Sequence, residues 1–127
     1  MTRILLIDDD ALGRDMLRQM LERAGYDVVE AASGREGLQQ YQATAIDLII
    51  TDILMPDQDG LEIILELRRL VPEAKIIAIT GGGQSGLLDL LPVAAKLGAQ
   101  WTLRKPLQRL ELLKAIRQLV PHHDETP

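Results

Sequence analysis

The sequence predicts an α/β fold in which helices cover both faces of a five-stranded parallel sheet, a three-layer sandwich. Two patterns carry that expectation. Short apolar, β-branched runs alternate with segments whose apolar residues recur at helical spacing. The runs are apolar at consecutive positions, as strands buried on both faces must be. Strict strand–helix alternation of this kind is the pattern of βαβ units.

Each element has its own signals. Arg3, Ile4, Leu5, Leu6 and Ile7 form the first apolar run, stopped by Asp8, Asp9 and Asp10. Met16, Leu17, Met20, Leu21 and Ala24 then mark a helix, with Asp10 as its N-cap and Gly25 where a C-terminal glycine belongs. Residues 27–31 read as a shorter strand. Ser33 and Glu36 have capping-box spacing, which predicts a second helix to about residue 42. Residues 48–52 are the third strand, ended by Asp52 and a Pro56/Asp57/Asp59/Gly60 turn. Gly60 opens a third helix with Leu61, Ile64, Leu65 and Leu67 inward, Glu62, Glu66 and Arg69 outward, and Pro72 closing it. The fourth strand, residues 75–79, ends at Thr80 and meets a glycine-rich loop, residues 81–86. A Leu/Ala-rich helix follows over about residues 89–97, and Pro92 requires it to start late, because proline fits only the first turn. Residues 100–104 are the fifth strand. The last helix spans about residues 108–120, with Leu112, Leu113, Ile116 and Leu119 inward. Right-handed crossovers leave few topologies, and the simplest is the flavodoxin-like strand order 2-1-3-4-5. Residues 1–121 make one domain and residues 122–127, including His122 and His123, a polar tail.

Composition removes several function classes. The chain is 46% hydrophobic and 26% charged, ordinary for a globular domain. Its net charge of -5 argues against a basic face for nucleic acid. No segment approaches the roughly 18 uninterrupted apolar residues of a membrane span. The absence of cysteine excludes thiolate metal sites and a cysteine nucleophile. With no secretory signal at the N-terminus, a cytoplasmic domain is expected.

In a parallel sheet all strands end on one edge, and here that edge collects Asp8, Asp9, Asp52, Thr80 and Lys105. Three carboxylates in one crevice repel one another unless a cation sits among them. An all-oxygen donor set without His or Cys favours a hard divalent ion, and magnesium (or manganese) suits few carboxylates and several retained waters. Asp9 and Asp52 are read as direct ligands, with Asp8 acting through water. A metal-bound carboxylate beside a lysine and a hydroxyl suits phosphoryl transfer. On that reading Asp52 is the nucleophile and forms an acyl phosphate, Lys105 is the point charge, and Thr80 binds a phosphoryl oxygen after transfer.

These residues, in these elements, resemble the response-regulator receiver domains of two-component signalling. The resemblance rests on Ile7-Asp8-Asp9-Asp10, Thr51-Asp52-Ile53-Leu54-Met55-Pro56-Asp57-Gln58-Asp59-Gly60, Thr80-Gly81 and Lys105-Pro106, and it covers essentially the whole chain. It implies a phosphotransfer switch that is not an enzyme in the ordinary sense. The donor would be a phosphohistidine on a sensor histidine kinase or a histidine phosphotransfer protein. The backbone carbonyl of Leu54 would join the magnesium sphere, and the peptide bond before Pro106 would be cis. The output would be contact with a downstream protein, from a monomer or weak dimer. Thr80 and Thr102 fall at the positions that report phosphorylation, but receivers commonly carry Tyr or Phe where this chain has Thr102. Trp101 is adjacent, yet neighbouring strand residues point to opposite faces, so it does not substitute.

Two alternatives compete. Thr102 is compatible with an interaction module that keeps the fold without phosphorylation. Asp8-Asp9-Asp10 also resembles the start of haloacid-dehalogenase-type phosphatases, although Leu12 stands where Thr or Val is expected. A P-loop is excluded, because Leu87 and Leu88, not Lys and Ser/Thr, follow the last glycine of the 81–86 loop.

Overall fold

The computed structural model describes residues 1–55, 58–81 and 91–121. Among these residues, seven strands and five helices follow one another as β1 (Arg3–Ile7), α1 (Ala11–Arg23), β2 (Asp27–Ala31), α2 (Gly34–Ala43), β3 (Leu48–Asp52), β4 (Leu54–Met55), β5 (Gln58–Asp59), α3 (Gly60–Leu70), β6 (Ile76–Thr80), α4 (Leu91–Leu97), β7 (Trp101–Arg104) and α5 (Arg109–Leu119). Five of the strands pair in parallel in the order β2-β1-β3-β6-β7, which is 2-1-3-4-5 counted along the chain. β4 and β5 form a small antiparallel hairpin where the sequence indicates only a turn. Pro56 and Asp57, residues 82–90 with Leu87, Leu88 and Leu90, and the tail with His122 and His123 lie outside the described residues.

The two faces of the sheet build two cores. Leu5, Ile7, Ile49, Ile76 and Ala78 face α2, α3 and α4. Ile4, Leu6, Leu48, Ile50, Ile77, Ile79 and Leu103 face α1 and α5. β1, β3 and β6 are therefore apolar at successive positions because both of their surfaces are covered. Each fully buried Leu or Ile contributes roughly 1.5–3 kcal/mol, so a handful of them offsets the cost of burying the polar groups described below.

Helix ends follow local chemistry. Ser33 Oγ accepts from the Glu36 N–H at 3.1 Å, and Glu36 reaches back to the Ala32 N–H at 2.9 Å, one residue earlier than a strict capping box. Gly25 follows α1 at φ +96°, a conformation that disfavours a Cβ. α4 begins at Leu91, which puts Pro92 in its first turn as its missing N–H requires. Asp10 occupies the N-cap position of α1, but its side chain makes no capping bond. Met16 and Leu65, which share the apolar spacing of α1 and α3, are 64% and 52% exposed; they flank the buried stripes Leu17/Leu21 and Ile64/Leu67.

At Gly37, α2 packs directly against Ile7 of β1. A Cβ there would lie 2.4 Å from Ile7 Cδ1 and 2.8 Å from Ile7 Cγ1, and Ile7 is fully buried with a stiff β-branched side chain. Gly37→Ala is expected to destabilise the chain by about 1–3 kcal/mol, the usual cost of overpacking, read as a lower urea midpoint. An unchanged midpoint would show that α2 moves away freely.

Candidate functional site

The strand ends set the site. Asp8 follows β1, Asp52 is the last residue of β3 and Thr80 the last of β6; they are only 2%, 5% and 3% exposed. Lys105 follows β7, and its Nζ donates to Asp52 Oδ2 at 2.8 Å and to Asp8 Oδ2 at 3.4 Å. Its backbone N–H donates to the Thr80 carbonyl at 2.8 Å. The Lys105 stem runs past Gly81, where a Cβ would stand 3.2 Å from Lys105 Cδ, so the glycine leaves the stem its path. Asp8, Asp52 and Lys105 are thus in direct contact, with Thr80 on the adjoining strand end. The cation that the carboxylates require is, within the described residues, the Lys105 ammonium.

Burial works against that ammonium. The hydrogen bond and attraction of Asp52, joined by those of Asp8, outweigh it and hold the Lys105 pKa above the ordinary lysine value. The ammonium therefore stays charged at neutral pH.

Asp8 is held at every polar atom. Its N–H donates to the Ala31 carbonyl at 3.1 Å, and its Oδ1 accepts from the Asp10 N–H at 3.0 Å. Its carbonyl accepts from Arg14 Nη1 at 2.6 Å. Asp9, one residue on, sits in a bend and is exposed. Leu54 starts β4, two residues beyond Asp52. Among the described residues no three His, Cys, Asp or Glu side chains converge as a metal cluster. The donor chemistry nevertheless fits magnesium, which is bound through one or two carboxylates and keeps several waters. Two buried carboxylates already meet at one cation, and the exposed Asp9 follows Asp8 directly in the chain.

Thr102 is half-buried and pairs with Ala78 of β6. Trp101 and Leu103 pack on the α1/α5 face, so strand alternation puts Thr102 on the opposite face from Trp101. The Lys105–Pro106 peptide is cis. Two contributors escape a reading of the sequence. Thr51 is fully buried and its Oγ1 donates to the Asp52 carbonyl at 3.1 Å; a lone threonine inside an apolar strand carries no signal of that. Arg14 has only its helical position, one turn after the acids, to mark it.

The family description "Response regulator receiver domain" matches residues 4–117. The chain belongs to this family. The receiver is 35% identical over 118 residues to the chemotaxis protein CheY of Thermotoga maritima, covering 92% of this chain and 96% of that protein. A receiver domain protein from Clostridium thermocellum superposes with a TM-score of 0.85 at 33% identity, over 94% of each chain. The response regulator TrrA of Thermotoga maritima, solved in complex with Mg2+-BeF, gives a TM-score of 0.80 at 32% identity, covering 94% of this receiver and all of that chain (100%). Receivers of the CheY family are phosphoacceptor switches of two-component signal transduction, not enzymes of the ordinary kind. No helix among the described residues is long and apolar enough to cross a membrane.

Proposed function

We infer that this receiver accepts a phosphoryl group on Asp52 from a phosphohistidine of a sensor kinase or histidine phosphotransfer protein, and signals by contact with a further protein. The observation that carries this reading is the buried Asp52 carboxylate at a strand end with the Lys105 ammonium 2.8 Å away. A carboxylate oxygen of Asp52 attacks phosphorus, a P–O bond forms as the P–N bond breaks, and the imidazole, protonated on its other ring nitrogen, leaves as the neutral base. Lys105 follows the charge onto the phosphoryl oxygens, where an ammonium acts as a point charge. The Thr80 hydroxyl, on the neighbouring strand end, donates to a phosphoryl oxygen once it is present. A magnesium ion, or manganese in its place, supplies further positive charge to those oxygens when bound. We assign Asp9, Asp52 and the Leu54 carbonyl to it directly, and Asp8 through water. Attack by water on phosphorus breaks the P–O bond to Asp52, releases inorganic phosphate and returns the carboxylate, so the state is self-limiting. Thr80 and Thr102 are the positions assigned to reporting it.

The test is incubation with Mg2+ and acetyl phosphate. A mass gain of one phosphoryl group, labile to hydroxylamine and absent in Asp52→Asn, is expected. An intact protein with no adduct from acetyl phosphate or from a phosphohistidine donor would sink the reading in favour of a phosphorylation-independent interaction module. Sustained phosphomonoester turnover would favour a phosphatase.

A further inference from the structure

Outside the cluster of Asp8, Asp52 and Lys105, a second polar group bears on the same loop from the far side. Arg14, on α1, is 17% exposed at its side chain. It donates through Nη1 to the Asp8 carbonyl at 2.6 Å and through Nε to Glu30 Oε1 of β2 at 2.9 Å. The other oxygen of Glu30 pairs with Arg18 Nε at 3.1 Å, so Glu30 is itself fixed from two sides. The carbonyl that Arg14 grips belongs to the peptide joining Asp8 to Asp9. Rotation of that peptide plane swings the Asp9 backbone and moves its carboxylate relative to Asp52.

We propose that Arg14 is a positioning residue for the divalent-cation site, and that Glu30 aims it. The proposal rests on the metal reading given above. Glu30 sets the guanidinium, the guanidinium sets the Asp8–Asp9 peptide, and the peptide directs Asp9 toward the ion. A planar guanidinium can hold a carboxylate and a carbonyl at once in fixed geometry. Outer groups that orient a metal's ligands commonly govern affinity tenfold to a hundredfold. Neighbouring Ala31 accepts the Asp8 N–H, so the end of β2 holds this loop at two points.

Isothermal titration with Mg2+ tests it, alongside thermal melts of the metal-free proteins. Arg14→Met is expected to weaken Mg2+ binding about tenfold, Glu30→Gln by less, and Arg14→Lys to recover part of the loss through a single donor to the Asp8 carbonyl. Arg18→Met removes the other partner of Glu30 but leaves the donor to the Asp8 carbonyl in place. It should lower the melting temperature about as much as Glu30→Gln while Mg2+ affinity stays nearer that of the parent. Wild-type affinity in Arg14→Met, or affinity that only tracks melting temperature across the set, would overturn the positioning role while leaving the phosphoacceptor reading intact. Should Arg14→Met fail to fold, Glu30→Gln and Arg18→Met decide. A wild-type chain that binds no Mg2+ would overturn both.

Discussion

Lys105→Met is expected to be the most destabilising single change at the site in metal-free buffer, costing about 2–3 kcal/mol at neutral pH. Removing one member of a buried ion pair commonly costs about 3–5 kcal/mol, because the remaining charge stays buried and uncompensated. Here the removed ammonium serves two buried carboxylates, Asp8 and Asp52, but its side chain is 32% exposed, so water takes up part of the loss. The measurement is a urea midpoint for the variant against the parent. The companion change, Asp52→Asn, has the opposite expected sign. Two carboxylates and one ammonium leave net negative charge, and neutralising Asp52 leaves Asp8 and Lys105 as a balanced pair. Equal stability of Lys105→Met and the parent would mean that the ammonium contact contributes nothing.

The same contact fixes a pH dependence. Because the folded state holds the Lys105 pKa above its ordinary 10.5, the contribution is complete below that value. It declines as pH rises through the higher folded value. The stability gap between parent and Lys105→Met should therefore persist from neutral pH to about 10 and close above it. A gap that stays unchanged well above the ordinary lysine value, where Lys105 loses its proton, would contradict this assignment. Millimolar Mg2+ should narrow the gap as well, since a bound ion takes over the charge that the ammonium had balanced.

Asp9→Ala is expected to show the second large effect, and a cleaner one. Its Mg2+ affinity should fall about a hundredfold, the upper end of what even an outer partner of a metal costs. Its metal-free unfolding free energy, from urea titration, should stay within about 0.5 kcal/mol of the parent, as for most exposed positions. The dissociation follows from burial: Asp8 and Asp52 are structural and electrostatic at once, whereas Asp9 stands in solvent beside them. Trp101, which packs on the α1/α5 face at the start of β7, is the sole tryptophan and gives an optical readout of the titration. Unchanged Mg2+ affinity would remove Asp9 from the ligand set.

What the sequence made legible, and what it hid, divides along physical lines. Strand ends are readable because doubly buried strands must be apolar throughout, and Asp8, Asp52, Thr80 and Lys105 interrupt that pattern where the sheet stops; the strand order is only the simplest that right-handed crossovers allow. Pro92 disclosed the late start of α4 because it has no N–H to give. Spacing identifies the apolar stripes of α1 and α3 but not their buried width, so it includes Met16 and Leu65, which lie exposed beside the buried residues. The Arg14–Glu30 contact joins a helix to a strand 16 residues away, and no local pattern marks such a pair. The balance of charge was likewise hidden. Repulsion among the acids was evident, but that Lys105 bridges Asp8 and Asp52 follows only from how β1, β3, β6 and β7 end together.

Lys105 also has a mechanical consequence. Its side chain reaches the ends of β1 and β3, its backbone is fastened to the end of β6, and it is the residue on which β7 leaves the sheet. One residue is therefore the common anchor of four strands. A change in what its ammonium holds is felt at once across most of the width of the sheet, without any relay of side chains in between.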